Sequence, residues 1–82
     1  MSKSQKLITR FKSQPKDFSW SELITLLTGL GFKERQGSGS RVKFYHEDLD
    51  CLVQLHRPHP GKILKPYIMS YILQVLLEEK LL

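Results

Sequence analysis

Arg41-Val42-Lys43-Phe44-Tyr45, the acidic Glu47-Asp48-Leu49-Asp50 and then Cys51-Leu52-Val53-Gln54-Leu55 form the stretch that decides the fold. In residues 41–45 charged and apolar side chains alternate, the period of a strand buried on one face only. Residues 51–55 alternate too: Cys51, Val53 and Leu55 share one face, Leu52 and Gln54 the other. The acidic segment between them reads as a turn. Upstream, Gly37-Ser38-Gly39-Ser40 is a turn by composition. Before it, Phe32-Lys33-Glu34-Arg35-Gln36 alternates weakly. These segments predict three strands in an antiparallel meander.

Outward from the sheet, the period changes to that of helices. Ser19-Trp20-Ser21-Glu22 fits a capping box, in which the serine accepts from the backbone of Glu22 and Glu22 reaches back to the cap. Trp20, Leu23, Ile24, Leu27 and Leu30 then lie on one helical face. Gly31 supplies a left-handed stop, and Phe32 can fold back onto the last turn. Earlier, Leu7, Ile8 and Phe11 have helical spacing in a short N-terminal helix or arm, and Gln14-Pro15-Lys16-Asp17 reads as a linker. The chain therefore divides into an arm, residues 1–18, and a domain, residues 19–82. On the other side, two prolines and a glycine make residues 56–62 an irregular loop. Pro66 suits the first turn of a helix, which carries Tyr67, Ile68, Tyr71, Ile72, Val75 and Leu76 as an apolar stripe. Trp20, Tyr67 and Tyr71 fall on such stripes and are expected in the core, while residues 76–82 could meet a partner. Two helices on one face of a three-stranded antiparallel sheet give an α+β fold, an architecture that resembles the double-stranded-RNA-binding fold.

Composition narrows the partners. Eighty-two residues make one domain with a thin core, so any chemistry uses a shallow groove and a few side chains. The formal charge of +5 and pI of about 9.6 favour an anionic partner. No apolar run approaches a bilayer span, and residues 1–14 lack the apolar core of a signal peptide, so no membrane association and a cytoplasmic location are expected. Cys51 is the lone cysteine; it forms no internal disulfide and, opening an apolar run, reads as a buried inert thiol. CxxC spacing is absent, and neither a metal nor a small-molecule cofactor is expected.

The order of motifs carries a resemblance. A capped helix ends in Leu30-Gly31-Phe32; Arg35-Gln36, the Gly-Ser turn and a strand follow. His56-Arg57-Pro58-His59-Pro60-Gly61-Lys62 and Leu64-Lys65-Pro66 then open the last helix. From about residue 20 to residue 82 this resembles the HicA family of toxin–antitoxin toxins, whose usual text has a Gly-Ser turn, a His-Pro-Gly-Lys loop and Leu-Lys-Pro at these places. The leading segment with Phe11, Pro15 and Trp20 resembles an extension seen in one branch. The resemblance implies an mRNA-cleaving endoribonuclease held inactive by a HicB-type antitoxin. The family usually places its catalytic histidine just after the Gly-Ser turn; here Arg41 and Val42 stand there, giving Gly-Ser-Arg-Val. Fold and RNA binding carry over more safely than cleavage does.

RNA can be cut without a metal when one group takes the 2′-hydroxyl proton and another protonates the leaving oxygen. Histidine suits both tasks, and a cation steadies the phosphate. His56 and His59, on a loop stiffened by Pro58 and Pro60, are the candidate catalytic groups. His46, at the edge of an acidic turn, reads as an exposed turn residue. Arg35, Arg41 and Lys43 are expected to project from one side of the sheet and, with Arg57 and Lys62, to make a basic surface for mRNA. Gly39 and Ser40 lie in the turn next to the phosphate path. The alternative is a non-catalytic module that binds RNA or antitoxin and has kept only the fold.

Overall fold

Strand β2 (Arg41–His46) is the middle of the sheet, between β1 (Lys33–Gln36) and β3 (Cys51–His56). Both pairings are antiparallel. The computed structural model describes residues 3–37, 39–58 and 61–82. Within them the chain runs α1 (Lys3–Lys12), α2 (Trp20–Gly29), β1, β2, β3 and α3 (Pro66–Glu78). This is the helix–sheet–helix α+β order expected from the sequence, with a short helix ahead of it.

The register gives the sheet two unlike faces. Val42 stands opposite Leu55 and Phe44 opposite Val53, and these four are buried. Arg35 stands opposite Lys43, which stands opposite Gln54; Arg41 stands opposite His56. All of these are exposed. Because strand side chains alternate, the helices cover one face and leave the other to solvent. On the covered face Leu23, Leu26 and Leu27 of α2 and Met69, Ile72 and Leu76 of α3 join the four strand residues in one core.

Helix α2 starts and stops for local reasons. Ser19 accepts from the Glu22 backbone N–H, and the Glu22 carboxylate accepts from the Ser19 backbone N–H, so the capping box is complete. Phe18 precedes the cap and Leu23 sits at the fourth helical position; both are fully buried, as a hydrophobic staple requires. At the other end Gly31 has φ +107°. Its N–H bonds the Thr28 carbonyl and the Phe32 N–H bonds that of Leu27, the paired bonds of a Schellman stop.

Residues ahead of the cap belong to the same core. Phe11 and Phe18 are fully buried and meet edge to face at 5.3 Å. Arg10 reaches Asp17 at 3.1 Å and Glu22 at 2.9 Å, tying α1 to the cap of α2. Gln14 turns the chain with φ +52° and accepts from the Ser70 hydroxyl of α3. Among the described residues no helix is long and apolar enough to cross a membrane.

Several sequence expectations change. Tyr67 and Tyr71 are not core residues: they are 67% and 43% exposed. Helix α3 buries Met69, Ile72 and Leu76, and both tyrosines fall outside that stripe. Trp20 is half buried and meets Phe44 edge to face. His46 is not an exposed turn residue: it is only 8% exposed, because it shares the covered face with Val42 and Phe44. Cys51 is half buried rather than buried, and burial pushes its thiol pKa up, which suits an unreactive side chain. Beyond α3, Lys80 adopts φ +59° and the Leu81 N–H returns to the Leu76 carbonyl. Leu81 and Leu82 thus pack against the core, while Leu77 remains exposed.

Candidate nucleic-acid interface

The uncovered sheet face gathers the cations that alternation predicts there. Arg35 and Lys43 are cross-strand partners, and Arg41 lies two residues from Lys43 on the same face. Directly opposed strand residues hold their Cβ atoms about 5 Å apart, so these side chains form one basic patch. Among the described residues none of the three makes an ion pair; two acidic groups of the β2–β3 turn are engaged elsewhere, Glu47 by Lys33 and Asp50 by the Tyr45 hydroxyl. Tyr45 has its pKa raised by that hydrogen bond and by partial burial. With Leu52 it gives the patch a partly apolar floor beside Arg35 and Lys43.

His56 ends β3 on this same face, directly across from Arg41. Its Nδ1 lies 3.3 Å from the Ser40 hydroxyl. Where that contact engages Nδ1, Nε2 is left for a ligand. Ser40 also fixes the chain beyond the histidine, because its carbonyl accepts from the Arg57 N–H. The Gly-Ser turn and the start of the His-Pro loop are therefore joined across the end of the sheet. Gly39, with φ +62°, is exposed, and a side chain there would meet no neighbour within 4 Å. His59, the other candidate catalytic group, lies outside the described residues.

Arg57 and Lys62 do not lie on the bare face. Alternation turns Arg57 toward the helix side, where its guanidinium donates to the Gln36 side chain at 2.8 Å. Lys62 is held beside α2: its carbonyl accepts from the Trp20 N–H, and Leu64 N–H bonds the Phe18 carbonyl. This bridge, with Ser19 paired to Ile63, fastens the end of the loop to the start of α2. Arg57 and Lys62 share a crevice with Trp20. Arg57 also enters a second cleft, of about 240 Å³, in which His56, Arg57 and Pro58 face Lys65, Tyr67 and Ile68 of the α3 start. The basic surface therefore wraps around the end of the sheet.

Val42, one of the two residues at the usual catalytic position after the Gly-Ser turn, is fully buried on the helix side. Arg41, the other, faces solvent. Among the described residues no group of three His, Cys, Asp or Glu side chains is placed to hold a metal ion.

A family profile for the HicA toxin of bacterial toxin–antitoxin matches residues 20–76. The chain belongs to the HicA toxin family. Neither a curated protein nor a solved structure matches it. Membership makes it the toxin of a toxin–antitoxin system, with an antitoxin as its partner. The HicA match begins at Trp20, just after the α2 cap, and ends at Leu76, the last buried residue of α3. It therefore takes in the whole sheet, the Ser40–His56 contact and the cleft before α3. Helix α1, with Phe11, and the staple residue Phe18 lie ahead of the matched segment. No periodic signal marks Phe18, because it stands next to the cap rather than inside a repeating pattern. His46 did carry a signal: its parity with Val42 and Phe44 assigns it to the covered face.

Proposed function

We propose that this HicA toxin is an endoribonuclease that binds mRNA along the bare sheet face and cuts it without a metal, and that a HicB-type antitoxin blocks that face. The observation that carries the reading is the placement of His56 opposite Arg41 on an exposed face that also holds Arg35 and Lys43. Phosphate contacts dominate nucleic-acid affinity, and these cations make no ion pair among the described residues. A ribose-phosphate chain lying across them brings a phosphate beside an imidazole.

The chemistry needs two proton transfers. A neutral imidazole takes the proton of a 2′-hydroxyl, whose oxygen attacks the adjacent phosphorus; the bond to the 5′-oxygen breaks, and an acid protonates that leaving oxygen. The products are a 2′,3′-cyclic phosphate and a free 5′-hydroxyl. His56, steadied by Ser40, is the assigned acid–base group, with His59 as its proposed partner. Arg41 stabilises the charge that develops on the phosphate. Arg57 and Lys62 hold RNA that turns around the sheet end, and Gly39 leaves that approach open. The fold would hold this arrangement in a cytoplasmic toxin without a cofactor.

A second reading has its own observation: the fully buried Val42 leaves no side chain at its position to act on RNA. A binding module without cleavage would bind RNA or antitoxin through the same face. The paired replacement His56→Ala with His59→Ala separates the two. If the nuclease reading holds, growth arrest and RNA cleavage disappear while RNA binding persists. Cleavage that survives in the double variant ends the assignment of the histidines. In parallel, Arg41→Glu with Lys43→Glu should weaken RNA binding and flatten its dependence on salt, since each lost phosphate contact lowers the logarithmic slope by about 0.7.

A further inference from the structure

Among the described residues Tyr67 is the most exposed of the large apolar side chains, and it stands on the first turn of α3. It lines the same cleft as His56, Arg57, Pro58 and Lys65. A tyrosine ring exposed in water retains apolar area that a flat partner can cover. The neighbours decide which partner. Arg57 gives one nitrogen to Gln36 and keeps further N–H donors, and Lys65 adds a second cation within the same cleft. An aromatic platform flanked by cations suits a base attached to a phosphate better than an uncharged apolar side chain.

We infer that Tyr67 is a base-stacking residue: the cleft between the end of β3 and the start of α3 takes one unpaired nucleobase of the RNA, stacked on its ring, with the phosphate of that nucleotide against Arg57 and Lys65. The inference rests on the RNA-binding reading above and adds the form of the RNA, which must be single-stranded at this point to release a base. The cleft is small, about 240 Å³, below the ~300–1,000 Å³ of pockets for drug-sized ligands, which suits a single base rather than a larger ligand. His56 is among the residues that line this cleft, and its strand position opposite Arg41 also puts it on the sheet patch. The seated base therefore fixes which phosphate lies beside the imidazole, and Tyr67 acts as a positioning residue for the cut.

The test uses the full chain and a fluorescently labelled single-stranded RNA octamer carrying 2′-O-methyl riboses, which cannot be cut. Anisotropy measures affinity for this RNA and for versions with one abasic site moved along it. Stacking on an aromatic residue is lost as roughly a tenfold drop in affinity. Tyr67→Ala should show that drop, Tyr67→Phe and Tyr67→Trp should not, and Tyr67→Leu should behave like alanine. In the wild type one abasic position should cost the same tenfold, and Tyr67→Ala should be insensitive to it. Circular dichroism checks that each variant is folded; the exposure of Tyr67 makes all four tolerable. With 2′-hydroxyl RNA, Tyr67→Ala should also blur the cleavage position among neighbouring phosphates. Equal affinity of Tyr67→Ala and wild type, or full rescue by leucine, overturns the stacking assignment. If that happens while Arg41→Glu with Lys43→Glu still weakens binding, the RNA-binding reading stands alone. If the wild type binds no RNA at low salt, both fall.

Discussion

His46 and His56 end adjacent strands of one sheet, and the fold treats them in opposite ways. His46 closes β2 on the helix side, where its Nε2 lies 3.1 Å from the Leu30 carbonyl oxygen and its ring meets Phe32 edge to face. Since a carbonyl can only accept, that nitrogen is the one that donates. The imidazole thereby satisfies one of the carbonyls that a helix end leaves unbonded. Its Nδ1 is buried with no hydrogen-bond partner. His56 closes β3 at the other end and on the other face, with its ring in solvent beside Ser40 and Arg41. A histidine locked against a helix terminus serves the fold; one left at the edge of a basic face is free to serve a ligand. Residue type alone does not separate the two roles, whereas strand parity does.

The comparison breaks most sharply at Gly31. A Cβ there would lie 2.6 Å from His46 Nε2, and the residue already holds φ +107°. Gly31→Ala combines a left-handed backbone with an overpacked contact, and should lower stability by about 3 kcal/mol, read as a shift in the urea midpoint. An unchanged midpoint would mean that the helix end tolerates a displaced imidazole.

Exchanging the histidines themselves sharpens the contrast. His46→Ala removes a buried ring and the partner of the Leu30 carbonyl, a loss of about 2 kcal/mol in stability. The same replacement at His56 should change stability by no more than about 0.5 kcal/mol, as expected for an exposed site. Equal losses would show that the two ends of the sheet are alike in energetic terms.

A smaller effect lies at the other end of α2. Its start is held by charge, with the Arg10 guanidinium as the main cause that lowers the Glu22 carboxyl from 4.5 to about 2. A carboxyl depressed by folding stabilises the protein above its unfolded value, and that contribution disappears as pH falls from about 4.5 toward 2. Glu22→Gln keeps the reach back to Ser19 and loses the charge. The Glu22 side chain is 31% exposed, so screening limits the loss to about 1 kcal/mol at pH 7. The gap between wild type and variant in urea unfolding should close across that acidic window; a gap that does not depend on pH would deny the ion pair its part.

Much of this was legible in the residues. The alternation of Arg41, Val42, Lys43 and Phe44 gave both the buried and the basic face, and the Ser19–Glu22 box and Gly31 bounded α2 correctly. The grouping of Arg35, Arg41 and Lys43 followed from the same alternation. What the sequence withheld depended on neighbours distant along the chain. Helix α3 is apolar over most of its surface, so only the packing of Met69, Ile72 and Leu76 decides that Tyr67 and Tyr71 face outward. Alternation already turned Arg57, the neighbour of His56, off the bare face; its bond to Gln36, 21 residues away, was the hidden part. The bond that ties Lys62 back to Trp20, beside the crevice they share with Arg57, is likewise one that no composition announces.

Phe11 and Leu76 occupy one core, and this bears on how the toxin comes into being. While a ribosome is still making the segment, Phe11 and Phe18 have no third helix to cover them, and an incomplete nascent chain keeps that apolar surface in water. The core that Phe11 and Phe18 share with Met69, Ile72 and Leu76 is therefore closed only once α3 has emerged.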